Sequence, residues 1–419
     1  MVNSQDKVLI VGPSWVGDMV IAHSLIQTVA KGDRPARVSV LAPTSIAPLL
    51  SRMPEVAETI VTPFIHGRLQ LSARWRLART IRQMGFRQAI ILPGSLKAAL
   101  IPFLAGIPQR TGFLGEKRYG FLNDIRSFNP QQTPLAVSRF VQLGLPAESP
   151  LKLDYPPPHL TSEPGRAAQV LQSIGFDLLD LPTLVLCPGA EFGPAKRWPA
   201  QSFAAVAKSK VAEGWQVWVI GNNADQLIGE EIRADVGPAC FNLAGQTPLD
   251  QAIDLISAAT CVVTNDSGLM HVAAALNRPL VAVFGSTSPA LTPPLSADAE
   301  IISLELDCSP CFKRSCPLQH THCLTRLQPE QVLDAMARLV RRQPLWRQRT
   351  LLHLYNQRPN AADSLPHAAD QRSSLRRCRI HWIPYIASTG GSWPQRHRRR
   401  QSLQWIFLGG SRICRFPPD

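Results

Sequence analysis

Residues 261–285 read CVVTNDSGLMHVAAALNRPLVAVFG. A strand-like run, CVVTND (261–266), gives way to a polar turn, a helical stretch over 267–276 and a second strand-like run, PLVAVFG (279–285). Strands alternating with a crossover helix are the signature of parallel α/β layers. At the turn, Asp266 or Ser267 is placed to cap the helix, and Gly268 lets a backbone or ligand come close. The helix start then offers free N–H groups and a positive dipole end, a place for a phosphate. Capping alone explains Asp266 and Ser267 equally well. His271 falls one turn into the helix, where it either touches the same anion or is a satisfied core histidine.

The same alternation extends outward in both directions. Toward the N-terminus the strand-like runs are KVLIVG (7–12), RVSVLAP (37–43) and RQAIILPG (87–94), with the helical stretch DMVIAHSLIQTVAK (18–31) after the first. A proline-rich segment, SPLKLDYPPPHLTSEPGRAA (149–168), suits a linker, and the pattern restarts with TLVLCPG (183–189) and WQVWVIG (215–221). The chain is expected to form two Rossmann-like α/β domains in tandem, over 1–160 and 175–340. In open parallel sheets ligands sit beyond the carboxyl ends of the strands. The segments found there are PSWVGD (13–18), AEFGPAKRWP (190–199), NDSGLMH (265–271) and STSP (286–289). Their glycines and prolines are also ordinary turn residues.

Lys196 and Arg197 close a glycine-bearing loop delivered by the strand 183–189. A lysine there is a compact point charge suited to a diphosphate leaving group, although an exposed Lys-Arg pair is also an ordinary solvated surface. Asp18 opens the first helix. It is either an acid favoured by the helix dipole, worth about 0.3–1 kcal/mol, or a base facing phosphates held on the other domain. Neither G-x-G-x-x-G after the first strand nor G-x-x-x-x-G-K-[ST] occurs, which counts against a dehydrogenase and a P-loop nucleotidase.

Composition narrows the remaining classes. The chain has 419 residues and a net charge of +14. Residues 341–419 hold 15 arginines, no lysine and three acids, a net +12, leaving 29 basic against 27 acidic groups for residues 1–340. The tail, bounded at 345–419, lacks periodicity and reads as disordered, appended or out-of-frame sequence, or else as a basic arm touching anionic lipid or nucleic acid, and no function is assigned to it. No apolar run reaches the roughly 20 residues that span a bilayer, and the N-terminus lacks the build of a secretory signal, so a cytoplasmic protein is expected. CSPCFKRSCPLQHTHC (308–323) holds Cys308, Cys311, Cys316 and Cys323, with His320 and His322 between. It is a possible zinc site, a set of reduced loop thiols or a regulatory disulfide, expected to lie away from the cleft.

The stretches VGPSWVGDMV (11–20), LLSRMPEV (49–56), GIPQRTGFLGEKRYGFLND (106–124), CPGAEFGPAKRWP (187–199), LAGQTPLDQAIDLI (243–256) and residues 263–289 together resemble the ADP-heptose:lipopolysaccharide heptosyltransferases of glycosyltransferase family 9, the heptosyltransferase II group most closely. The resemblance covers residues 7 to about 340. It implies a GT-B fold, two Rossmann-like domains facing a central cleft, with acceptor on the first and nucleotide sugar on the second. It further implies an inverting, metal-independent transfer of heptose from ADP-heptose to the first heptose of the lipopolysaccharide inner core, with no cofactor. Asp18 matches the family's proposed catalytic base. Lys196, with the N–H groups around Ser267 and Gly268, would stabilise the diphosphate; Asp266 and His271 belong to the nucleotide motif; Glu191 could reach ribose or heptose hydroxyls. Lys97, Arg110, Lys117 and Arg118 are candidates for acceptor carboxylates and phosphates. Peripheral contact with the inner membrane and no nucleic-acid partner are expected. Heptosyltransferases I and III, and a non-catalytic nucleotide-sugar binder, are the alternatives.

Overall fold

The computed structural model describes residues 6–64, 70–150, 154–163, 165–176 and 180–342. The tail after residue 342, and whatever a basic arm there would do, lies outside the described residues.

Among the described residues twelve strands form two six-stranded sheets, parallel throughout. The first sheet comprises β1 (Lys7–Val11), β2 (Arg37–Pro43), β3 (Val56–Thr62), β4 (Gln88–Ile91), β5 (Gln109–Phe113) and β6 (Asp124–Arg126) in the order β3-β2-β1-β4-β5-β6. The second comprises β7 (Thr183–Cys187), β8 (Gln216–Val219), β9 (Cys240–Asn242), β10 (Cys261–Asn265), β11 (Leu280–Phe284) and β12 (Ala299–Ser303) in the order β12-β11-β10-β7-β8-β9. Counted from its own first strand, each sheet has the doubly wound order 3-2-1-4-5-6, so chain direction across the sheet reverses beside β1 in one and β7 in the other. Two Rossmann-like sheets are what the sequence pattern calls for.

The central strands β7, β8, β10 and β11 are buried at every residue, which explains their uninterrupted apolar runs. Sequence reading misses β3, β5, β6, β9 and β12, all but β5 at the edge of a sheet. β3 is half-exposed along its length, and β6 has only three residues, Asp-Ile-Arg, none buried. An edge strand covered on one side carries too little hydrophobic signal to stand out from a loop.

The two halves share apolar packing. Helix Val16–Lys31 of the first half lies against helix Gly268–Ala275 of the second, and Met19, Val20 and Ala22 belong to the same buried cluster as Val272, Ala273 and Ala274. Buried Arg52 donates to Asp254 across the halves at 2.7 Å. The proline-rich segment expected to act as a linker is tied down on both sides: Leu160 N–H donates to Ala275 O at 3.0 Å, Thr161 N–H to Arg52 O at 2.9 Å, and His159 N–H to His23 Nδ1 at 3.0 Å. Residues 154–163 of it form neither helix nor strand, as the run Pro156, Pro157, Pro158 disfavours helix, whereas its last residues enter the helix Arg166–Ser173.

Candidate active site

Strand β1 ends at Val11, and the next four residues lead into helix Val16–Lys31, whose N-cap is Trp15 with no side-chain cap. Asp18 therefore stands in the first turn of a helix that begins at the switch point of the first sheet. Burial raises its pKa above the ordinary carboxylate value; Lys196 pulls it down through space and Asp266 pushes it up.

From the second sheet, β7 delivers a loop ending in the tight turn Pro194–Lys196. Gly193 holds φ +152°, and a Cβ there would run into the Arg314 carbonyl, so glycine is required twice over. Ala195 N–H donates to that same carbonyl at 3.1 Å. Downstream, buried Asn265 clamps the loop to β10: its Oδ1 accepts from Trp198 N–H at 3.0 Å and its Nδ2 donates to Pro188 O at 2.6 Å. Held in this way, Lys196 Nζ donates to Asp266 Oδ2 at 2.6 Å, and Thr287 Oγ1 donates to the same oxygen at 2.5 Å.

The expected cap of the 267–276 helix is absent. The helix runs Gly268–Ala275 with Ser267 at its N-cap, yet neither Ser267 nor Asp266 caps it with a side chain. The Asp266 carboxylate is engaged by Lys196 and Thr287, and Ser267 Oγ lies 3.3 Å from Thr264 Oγ1. The first N–H groups of the helix are left to an anion.

Gly17 and Gly268 bring the two helix starts together. A Cβ on Gly17 would stand 2.8 Å from His271 Cδ2, and one on Gly268 would stand 2.9 Å from Val16 Cβ. His271 is buried against this contact, and burial pulls its pKa down to about 4, so the imidazole is neutral at physiological pH. Beside the contact opens a cavity of about 280 Å³ lined by Asp18, Glu191, Lys196, Asp266, Ser267, Gly268 and His271, that is, by all seven of the site residues read from sequence. Trp15, Gly17, Phe192, Thr292 and Arg314 complete it. Asp18, in the first turn of one helix, thus shares this space with Lys196, Arg314, Glu191, Asp266 and the start of the Gly268 helix.

The family model for glycosyltransferase family 9 (heptosyltransferase) matches residues 74–322. The chain belongs to glycosyltransferase family 9. Lipopolysaccharide heptosyltransferase 2 of Escherichia coli K12 is 43% identical over 345 residues, covering 80% of this chain and 98% of that protein. Lipooligosaccharide heptosyltransferase 2 of Haemophilus influenzae Rd is 46% identical over 308 residues, covering 71% and 88%. The solved structure of E. coli ADP-heptose lps heptosyltransferase II superposes with TM-score 0.72 at 41% identity, covering 80% of this chain and 99% of that one. The two sheets thus form the GT-B pair of that family.

Two expectations for this glycosyltransferase need correction. Arg118 is fully buried and donates to the carbonyls of Pro93 (2.7 Å), Leu114 (3.3 Å), Ser95 (3.4 Å) and Phe113, so it clamps a loop and offers nothing to an acceptor. Arg110 similarly donates to Phe121 O at 2.7 Å and Ile107 O at 2.6 Å. Lys97 and Lys117 are exposed and line no part of the cavity. The cysteine segment does not lie away from the cleft: it packs behind the Lys196 loop and sends Arg314 into the cavity, 5.8 Å from the Phe192 ring that Lys196 also approaches at 5.1 Å. Sequence reading missed Arg314 because its neighbours are cysteines, and no β-strand end announces it. Glu191 is at the rim, accepting from Asn222 Nδ2 at 3.1 Å.

Proposed function

We propose that the enzyme transfers L-glycero-D-manno-heptose from ADP-heptose to the first heptose of the lipopolysaccharide inner core, with inversion at the anomeric carbon. The observation that carries this reading is Asp18 on the first half, facing Lys196, Asp266 and the uncapped Gly268 helix start on the second across one cavity. The relatives named heptosyltransferase 2 supply the sugar and the acceptor class.

In this scheme the diphosphate rests on the N–H groups at Ser267 and Gly268 and against Lys196. An acceptor hydroxyl gives its proton to Asp18 as its oxygen attacks the anomeric carbon, while the bond to the ADP oxygen breaks on the opposite face. Charge growing on the leaving ADP is met by Lys196, Arg314 and the helix end, a set of donors that needs no catalytic metal. Asp266 aims Lys196, neutral His271 packs the seam beside the phosphates, and Glu191 meets hydroxyls at the rim. The first sheet with its helices serves the acceptor, and the second serves the nucleotide sugar.

Among the described residues no helix is long and apolar enough to cross a membrane. Helix Leu71–Gln83 exposes Leu71 and Trp75 beside Arg76 and Arg79, with Arg79 4.9 Å over the Trp75 ring. That mixture supports peripheral contact with the anionic cytoplasmic face of the inner membrane, where the lipid acceptor is found.

The test is ADP release from ADP-heptose with heptosyl-Kdo2-lipid A as acceptor, run beside Kdo2-lipid A lacking heptose and with or without added Mg²⁺. Release with the first acceptor only, unchanged by Mg²⁺ and lost in Asp18→Ala that still binds ADP, is expected. Release with the second acceptor instead would move the enzyme to the first heptose transfer, and ADP binding without release on either would overturn the transferase reading. Vesicle binding as strong in high salt as in low would overturn the membrane contact.

A further inference from the structure

The segment His322–Thr325 and the loop before it bring Cys308, Cys311, Cys316 and Cys323 together with His320 around one small cavity of about 20 Å³, room for a single water-sized sphere. All four thiols are free. We propose that these four cysteines form a binding site for one soft divalent cation of the zinc class, a structural thiolate site that anchors the loop carrying Arg314 behind the donor cleft. This goes beyond the transfer reaction.

The backbone is built as a metal-thiolate loop is. Cys308 and Cys311 have the C-x-x-C spacing, and the residue after the pair, Phe312, takes a left-handed φ of +56°. Phe312 N–H donates to Ser286 O at 2.7 Å and Ser309 Oγ to Gly285 O at 2.5 Å, so the turn is fastened to the end of β11. The second pair is reached through two further left-handed residues, Gln319 (φ +58°) and Thr321 (φ +47°).

Ligand choice follows from the same geometry. His320 Nδ1 already accepts from His322 N–H at 3.0 Å, and the two rings stack with centroids 3.9 Å apart, so the imidazole is a neighbour and the four sulfurs are the donor set. Zinc with four thiolates carries a net −2 charge, and Lys313 lies in sequence between the two cysteine pairs. Binding is a proton exchange without redox: M²⁺ joins four sulfurs as their protons leave to solvent. Among the described residues no group of three or more such side chains already stands close enough together to hold a metal ion, so bonds of about 2.3 Å would have to draw the four sulfurs inward. The consequence reaches the cleft because the Arg314 carbonyl receives Ala195 N–H at 3.1 Å, one residue before Lys196.

The full chain, purified under reducing conditions without chelator or added metal, should hold about one zinc or iron per molecule by elemental analysis. Stripped protein titrated with Co²⁺ should develop thiolate-to-cobalt absorption and tetrahedral cobalt bands that saturate at one equivalent. Cys311→Ser and Cys323→Ser should lose those bands, and His320→Ala should keep them. Absence of bands in the reduced wild-type chain, with four thiols freely titratable, would overturn the site, as would disulfides among these four cysteines in freshly prepared protein. Stripping should also weaken ADP binding about fivefold or more; an unchanged ADP affinity would overturn the link to the cleft.

Discussion

Lys196 Nζ stands 2.6 Å from Asp266 Oδ2, joining the loop after β7 to the turn after β10 inside a largely buried ion pair. The lysine is thus not a free cation awaiting phosphate. Its position depends on a carboxylate from another strand, and that carboxylate depends on it for neutralisation.

Removing the cation should therefore do two separable things. Lys196→Ala leaves Asp266 buried without its partner, which should cost about 3 kcal/mol of stability. Adding Asp266→Asn should restore much of that stability while ADP release stays abolished. Denaturant melts of the single and double variants beside the ADP-release assay check this, and stability losses that simply add would show the pair is not coupled.

Asp18 should set the acid limb of the pH–rate profile. As a base it works deprotonated, so kcat/KM should rise with pH through a pKa that burial has lifted above the usual value near 3.9. Asp18→Asn should lower kcat by about 10²–10⁴-fold. For stability the sign is opposite to that of a paired carboxylate. A raised pKa means the favourable contribution is present at low pH and is lost as pH rises through the folded value, so at pH 7 Asp18→Asn should melt no lower than the parent. A clear drop in its melting temperature would mean that the charged form is stabilised in the fold.

His271 should make the fold acid-sensitive without appearing in the rate profile near pH 6.5. Its pKa falls from 6.5 to about 4 on folding, so the neutral form contributes stability that is fully present above 6.5 and lost as pH falls toward 4. The shift corresponds to about 3 kcal/mol. Comparing unfolding free energies of the parent and His271→Gln at pH 7 and pH 4.5 should show the parent losing more. Equal losses would remove the histidine from the acid response.

The seam between the halves should tolerate no added methyl. In Gly17→Ala the new Cβ would meet His271 Cδ2 at 2.8 Å, and in Gly268→Ala it would meet Val16 Cβ at 2.9 Å and Gly17 N at 3.3 Å. Each should cost about 1–3 kcal/mol. Because the seam sets the distance from Asp18 to the donor site, kcat should fall by about 10²-fold in both. A variant that destabilises but keeps full kcat would show that this distance is not critical.

The parallel α/β class and the two sheets were legible in the sequence because both depend on local pattern, as were the polar stretches after the strands, whereas the roles given to Asp18 and Glu191 came from the family resemblance. Buried parallel strands demand continuous apolar runs such as LVAVF at β11, and polar residues just after such runs must fall at the sheet's carboxyl edge. Edge strands β3 and β6 escaped because one-sided burial leaves them polar. What only the tertiary structure decided is how groups distant along the chain share space. Arg118 looked like a free cation, and four backbone carbonyls claim it. Asp266 looked like a helix cap, and Lys196, 70 residues away in sequence, holds it instead. Arg314 and the cysteines seemed remote from the cleft, and a hydrogen bond to Ala195 brings their loop behind it. Local sequence carries the periodicity that burial imposes on each element, whereas the partner of a charged side chain is chosen by long-range packing, which leaves no periodic trace.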